Sequence, residues 1–183
     1  EKANLYATND TVTWTELKNW QAGETTVLVN ATEPYKKYAI VTTKTAGNAT
    51  LQIGQLKLFC ESFSVDGGKI EMATSALTGG ASVMEQTTGH GREPAVLKKY
   101  PEVALSSSVQ SGYVVSASSD AFNVNGFYTW KAFNEVISDE GWHTAVDPGT
   151  VSGSPYNEIN SNYVGEWLKI QLPVAIKLEY FNI

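Results

Sequence analysis

The stretch that decides the fold is Gly165–Pro173, which reads GEWLKIQLP. Apolar and polar side chains alternate from Trp167 to Leu172, and this period of two is typical of a β-strand with one buried face. Proline has no backbone N–H to give to a neighbouring strand, so Pro173 predicts the end of this strand. The segment therefore predicts a half-buried strand close to the end of the chain.

Strands of the same kind recur on both sides of this segment, and in Ala175–Ile183 the residues Ile176, Leu178 and Tyr180 are expected on one face. Gly54 breaks an otherwise regular alternation and predicts a bulge. The other predicted strands are 11–20, Thr25–Val29, Tyr38–Thr43, Leu51–Phe59 and Tyr113–Ser118. The aromatic-rich segment Phe127–Phe133 is expected to be partly helical. Many short strands separated by turn residues indicate an all-β sandwich or barrel.

Residues 61–99 differ from the rest, because glycines interrupt the segment repeatedly and only one short strand is suggested in it. We interpret the segment as a connector. A connector of this length is uncommon inside one compact domain, so it predicts a boundary.

Composition restricts the class of protein. The chain has 183 residues, of which 42% are hydrophobic and 17% charged, so it can bury a core. Thirteen Lys and Arg stand against 19 Asp and Glu, and a net charge of −6 disfavours a nucleic-acid partner. No apolar run reaches the roughly 20 residues of a transmembrane helix, so no transmembrane segment is expected. The single cysteine, Cys60, is either a buried small apolar residue or half of an intermolecular disulfide.

Four motifs between residues 112 and 173 occur in the order of one known domain. They are Gly112–Ser119 (GYVVSASS), Lys131–Asn134 (KAFN), Trp142-His143 and Gly165–Pro173. Together they resemble the first half of a discoidin domain, the galactose-binding-like type C domain of coagulation factors V and VIII. The resemblance implies a β-sandwich of the jelly-roll type.

The beginning of the chain resembles the second half of a discoidin domain. The matching segments are Ala7–Leu17, Tyr38–Lys44 and Ile53–Phe59. The order is therefore reversed: residues 1–60 resemble the C-terminal half, 61–99 form the connector, and 100–183 resemble the N-terminal half. A half-sandwich exposes unpaired strand edges. The chain is therefore expected to be circularly permuted, to be one register of a tandem array, or to be completed head to tail by neighbouring copies.

The resemblance also implies where a ligand would bind, since family members bind sugars or lipid headgroups through loops at one end of the sandwich. The candidates are Trp142, His143, Tyr156 and Tyr163. The alternative for Trp142 is a place at the mouth of the core. Trp14 and Trp167 are expected in the core.

The resemblance also raises the question of whether this chain binds calcium. The two acidic positions that hold it in many relatives correspond here to Asn134 and Gln55, which are both amides. Loss of the site is the expectation. If an ion is retained, Asn134, Glu135 and backbone carbonyls near Ala132 are the candidate ligands, and no other cofactor is expected.

No catalytic motif or metal-ligand spacing selects an enzyme, and the two histidines are far apart in sequence. Three acceptor sequons, at Asn9, Asn30 and Asn48, are predicted glycosylation sites that permit a secretory origin.

The expected function is a non-catalytic structural or adhesive module of an extracellular, cell-surface or virion-surface assembly. Its partners would be other copies or tandem repeats of the same domain, chained head to tail into a filament. The alternative is a lectin-like carbohydrate-binding module, attached to a larger protein or enzyme, with glycans as partners.

Overall fold

The computed structural model describes residues 2–21, 24–44, 51–62, 96–119, 126–136, 141–144 and 165–183. The chain divides into two compact units: the first joins Glu1–Cys60 to Lys99–Ile183, and the second is Glu61–Lys98. Within the described ranges, the structure contains no helix with the length and apolar character that a membrane crossing requires.

The described residues form antiparallel β-structure with one short 3-10 helix, Thr129–Phe133, which confirms the all-β class and the partly helical aromatic segment. The strands are β1 (Lys2–Thr8), β2 (Thr15–Gln21), β3 (Thr26–Leu28), β4 (Tyr35–Lys44), β5 (Gln52–Ile53), β6 (Lys57–Ser62), β7 (Val96–Tyr100), β8 (Val109–Gln110), β9 (Tyr113–Ala117), β10 (Trp142–His143), β11 (Glu166–Ile176) and β12 (Leu178–Asn182).

These strands form two sheets and a ribbon. The six-stranded sheet has the order β2-β1-β4-β11-β9-β8, the four-stranded sheet has the order β3-β12-β6-β7, and β10 pairs with β5. Strands from the two ends of the chain are neighbours in both sheets, since β4 pairs with β11 and β12 lies between β3 and β6. The segments 1–60 and 100–183 therefore share their sheets within one chain.

The strand that begins at Glu166 does not end at Pro173, so that prediction was wrong: β11 continues to Ile176. Its pairing with β4 is regular as far as Gln171 and then shifts register before Ile176. Pro173 lies within this irregular stretch, where no ladder hydrogen bond is required of it.

Two other register predictions were also wrong. Gly54 does not form a bulge, because β5 and β6 on either side of it belong to different β-structures. In β12 a register shift follows Leu178, and as a result Phe181 rather than Tyr180 enters the core. Tyr180 instead stacks on Phe59, with ring centroids 4.5 Å apart.

One hydrophobic core receives side chains from both sheets and from the ribbon. A cross-strand row on the six-stranded sheet, Leu5, Ile40 and Leu168, lies in it. The four-stranded sheet contributes Val27, Leu58 and Phe181, and the ribbon contributes Trp142. Cys60 is buried in the same core, the first of the two positions expected for it.

Trp14 and Trp167 do not join this core, contrary to expectation. They pack on a second cluster formed by Tyr6, Ala39 and Val41. Ala39 and Val41 alternate along β4 with core residues, and successive side chains of a strand point to opposite faces. The two indoles therefore cover the opposite face of the six-stranded sheet.

Asp10 orders the connection between β1 and β2. Its Oδ1 accepts hydrogen bonds from the backbone N–H groups of Val12 and Thr13, both at 2.8 Å, and from the Thr8 hydroxyl at 3.0 Å. Hydrogen bonds to the ionised form, led by the one from Thr13, lower the pKa of the Asp10 carboxyl. The connection is thus closed by a local polar turn.

We expect Phe181→Ala to lower the free energy of unfolding by about 3–5 kcal/mol. The Phe181 ring is fully buried and meets Trp20 edge-on at 5.0 Å, so its removal leaves a cavity between the two ends of the chain. Urea denaturation measures the loss. Val174→Ala, at a residue of β11 that is 52% exposed, is the control and should cost less than about 0.5 kcal/mol. Equal losses in the two variants would mean that β12 does not share the core.

Candidate functional site

The predicted ligand and metal residues that the structure describes meet at one end of the first unit, where β5, β10 and the 3-10 helix lie together. Trp142 pairs in register with Ile53, and His143 pairs with Gln52. A Cβ on Gly141 would lie 2.1 Å from the Ile53 carbonyl oxygen, so only glycine permits this approach. The Leu56 N–H donates to the Ala132 carbonyl at 2.6 Å and ties in the helix. We call this region the ribbon end.

Trp142 lies inside the core rather than at a ligand face. Its side chain is fully buried, and its indole N–H donates to the Ser119 carbonyl at 2.8 Å. A sugar stacks on an exposed ring face, which Trp142 does not offer. The buried indole therefore belongs to the core and is anchored at the end of β9.

Glu166, the first residue of β11, lies beside Ser118 and Ser119. Its carboxylate accepts hydrogen bonds from the hydroxyl of Ser118 and, at 2.9 Å, from that of Ser119. The Trp167 N–H donates to the Ser118 hydroxyl oxygen at 2.9 Å. The carboxylate therefore joins the end of β9 to the start of β11.

His143 is half-buried and lies flat against Phe127, with ring centroids 3.9 Å apart and an angle of 7° between the planes. Its Nε2 is buried and has no hydrogen-bond partner in the described part of the chain. Burial disfavours the charged imidazolium and lowers the pKa of His143 below its usual value of 6.5. His143 is accordingly neutral at pH 7.

Sequence reasoning missed the most exposed ring at the ribbon end. Tyr128 is 42% exposed and stacks on Trp130, with centroids 5.9 Å apart. Together with Phe127 and His143, these rings form what we call the aromatic end. The available signal was the density of aromatics in Phe127–Phe133. The predicted ligand residues Tyr156 and Tyr163 lie outside the described residues.

The side-chain oxygens of the candidate metal ligands Asn134 and Glu135 are bound by N–H groups of the protein. Asn134 Oδ1 accepts from Gln55 Nε2 at 2.8 Å and from the Val136 N–H at 3.0 Å. Gln55 Nε2 also donates to the Val136 carbonyl at 3.1 Å, and the Glu135 carboxylate pairs with the Lys99 ammonium. Among the described residues, no group of three or more His, Cys, Asp or Glu could hold a metal ion. These side chains do not fit calcium as they stand.

Two of the three sequons can be placed. Asn9 and Asn30 are both exposed, whereas Asn48 lies outside the described residues. The Asn9 carboxamide donates to the Pro34 carbonyl at 3.0 Å and accepts from the Lys36 N–H at 2.9 Å. It thus ties the β1–β2 connection to the start of β4, and glycosylation at either position remains a prediction.

Comparison with known proteins finds no matching family model, no similar curated protein and no similar solved structure. The discoidin resemblance therefore remains a prediction from the motifs.

The depressed pKa of His143 predicts a pH-dependent contribution to stability. The folded state favours the neutral imidazole, so this contribution is present above the usual pKa of 6.5 and is lost as the pH falls below it. We therefore expect the advantage of the wild type over His143→Gln in unfolding free energy to shrink from about pH 8 to about pH 5. Urea denaturation across this range measures it. The second histidine, His90, is common to both proteins and cancels, and a constant difference would contradict the prediction.

Proposed function

We propose that the chain is a discoidin-like sandwich, circularly permuted and closed within one chain, that serves as a non-catalytic structural or adhesive module of an extracellular, cell-surface or virion-surface assembly. The closure is supported by the pairing of β4 with β11 and by the position of β12 between β3 and β6. The sandwich is supported by the core to which both sheets contribute side chains.

The observation that carries the non-catalytic assignment is that the carboxylates of Glu135 and Glu166 and the NH2 group of Gln55 bind other side chains of the protein. Glu166 is held by two serine hydroxyls, and Gln55 by Asn134. Lys99 is paired with Glu135. A general acid or base must instead reach a substrate proton directly or through one water. These groups act as structural ties.

Contacts between copies would join completed domains, because the strands of the two chain ends are already paired. An apolar surface for such contacts lies on the β8–β9 hairpin, at the edge of the six-stranded sheet. Val109 and Val114 form a cross-strand pair there and are 69% and 37% exposed. Edge strands with exposed apolar side chains favour association with another chain.

Carbohydrate binding is the second candidate function, and Tyr128 is the observation that favours it. Its ring is exposed and is held in position by stacking on Trp130. Ligand sites combine such aromatic surfaces with a few polar groups that fix orientation. The aromatic end would then be the glycan-binding surface.

Self-association tests the adhesive proposal. We expect size-exclusion chromatography with light scattering to show species larger than a monomer, and Val109→Lys to weaken association about tenfold or more, since it places a charge in an apolar contact. Val12→Lys is the matched control, because Val12 is 85% exposed on the β1–β2 connection. A monodisperse monomer at every concentration would count against chaining.

Glycan binding tests the second candidate. For any glycan that binds in an array, we expect Tyr128→Ala to weaken affinity about tenfold or more, as the loss of a stacking ring would. Titration followed by intrinsic fluorescence measures it. Leu28→Ala, at an exposed position of β3, serves as the control and should bind as the wild type does. The absence of a saturable signal with any glycan would exclude this candidate.

A further inference from the structure

Three consecutive residues after the 3-10 helix each present an oxygen that is held by a nitrogen donor. They are the Oδ1 of Asn134, the carboxylate of Glu135 and the carbonyl of Val136. The amide nitrogen of Gln55 binds the first and third, and the Lys99 ammonium binds the second. We call residues 134–136 the oxygen turn.

The oxygen turn has an unfavourable backbone. Glu135 has a φ of +59°, a left-handed conformation that is uncommon for residues other than glycine. Such a conformation persists where surrounding contacts determine it. One contact is local, from the Val136 N–H to Asn134 Oδ1, and the others come from two other parts of the chain, Gln55 between β5 and β6 and Lys99 on β7. These two distant donors therefore help to hold the turn.

We propose that Gln55 and Lys99 substitute for a bound cation at the oxygen turn, so that the turn is held without metal in this protein. Several converging carboxylate, amide and carbonyl oxygens are what calcium selects. Here the NH2 group of Gln55 donates to the oxygens of Asn134 and Val136, and the Lys99 ammonium supplies a positive charge at the Glu135 carboxylate. A calcium ion would have to displace both donors and would be repelled by the ammonium.

Only two side chains, Gln55 and Lys99, take the place of the cation, so two mutations should be enough to restore a cation site. Gln55→Glu keeps the side-chain length and replaces the donating NH2 group by an oxygen. The amide oxygen of Gln55, Oε1, is already buried without a hydrogen-bond partner among the described residues. Lys99→Met removes the competing charge but keeps a flexible apolar chain. The double variant would remove both distant donors and place a carboxylate beside the oxygen turn.

Thermal unfolding in EDTA and in millimolar calcium chloride tests the proposal. We expect the melting temperature of the wild type to change by less than about 1 °C between the two conditions. Gln55→Glu/Lys99→Met should melt about 3–8 °C lower in EDTA and recover at least about half of this loss in calcium. Gln21→Glu/Lys18→Met, on the edge strand β2, carries the same change of charge and is the matched control without a calcium response.

Each alternative result overturns the proposal. Stabilisation of the wild type by calcium would show that the turn still takes an ion. A double variant that melts like the wild type in EDTA would show that the donors do not hold the turn, and a lower melting temperature without recovery in calcium would show that the turn is not a cation site. If the double variant does not fold in EDTA, circular dichroism replaces melting: recovery of β-structure on adding calcium supports the proposal, and no recovery overturns it.

Discussion

The structure depends on the antiparallel pairing of β4 with β11. It places Ile40 beside Leu168 on the core face, and Leu5 of β1 extends the same row. Cross-strand apolar rows of this kind are a main source of stability in sheets. β12 and the ribbon also link the two ends of the chain, and both contribute side chains to the same core.

The sequence indicated the class of fold because burial of one sheet face leaves a period of two in the side chains. The errors at Pro173, Gly54 and Tyr180 share one cause. At each of them the strand slips register or ends, and register depends on partners that lie far away in the chain. The prediction that Trp14 and Trp167 lie in the main core failed because local alternation does not identify which face of the sheet holds that core.

The ribbon end was partly predictable. The motifs placed Gln55 and Asn134 at one site, and in the structure Gln55 Nε2 donates to Asn134 Oδ1 at 2.8 Å. Tyr128 and Lys99 were not identified, since the exposure of one and the ion pair of the other depend on how distant segments meet.

The interleaving of the chain ends has a consequence for how the molecule forms. The Tyr38 hydroxyl donates to the Ile176 carbonyl at 2.6 Å, across 138 residues. Contacts of such long range require the closure of a large loop, which costs conformational entropy before the contact stabilises the fold. Proteins with many such contacts therefore fold more slowly than proteins with mainly local contacts. During synthesis, β4 cannot pair with β11 until a segment that lies up to 138 residues further along the chain has left the ribosome. Until then, its apolar face is open to chaperones and to aggregation.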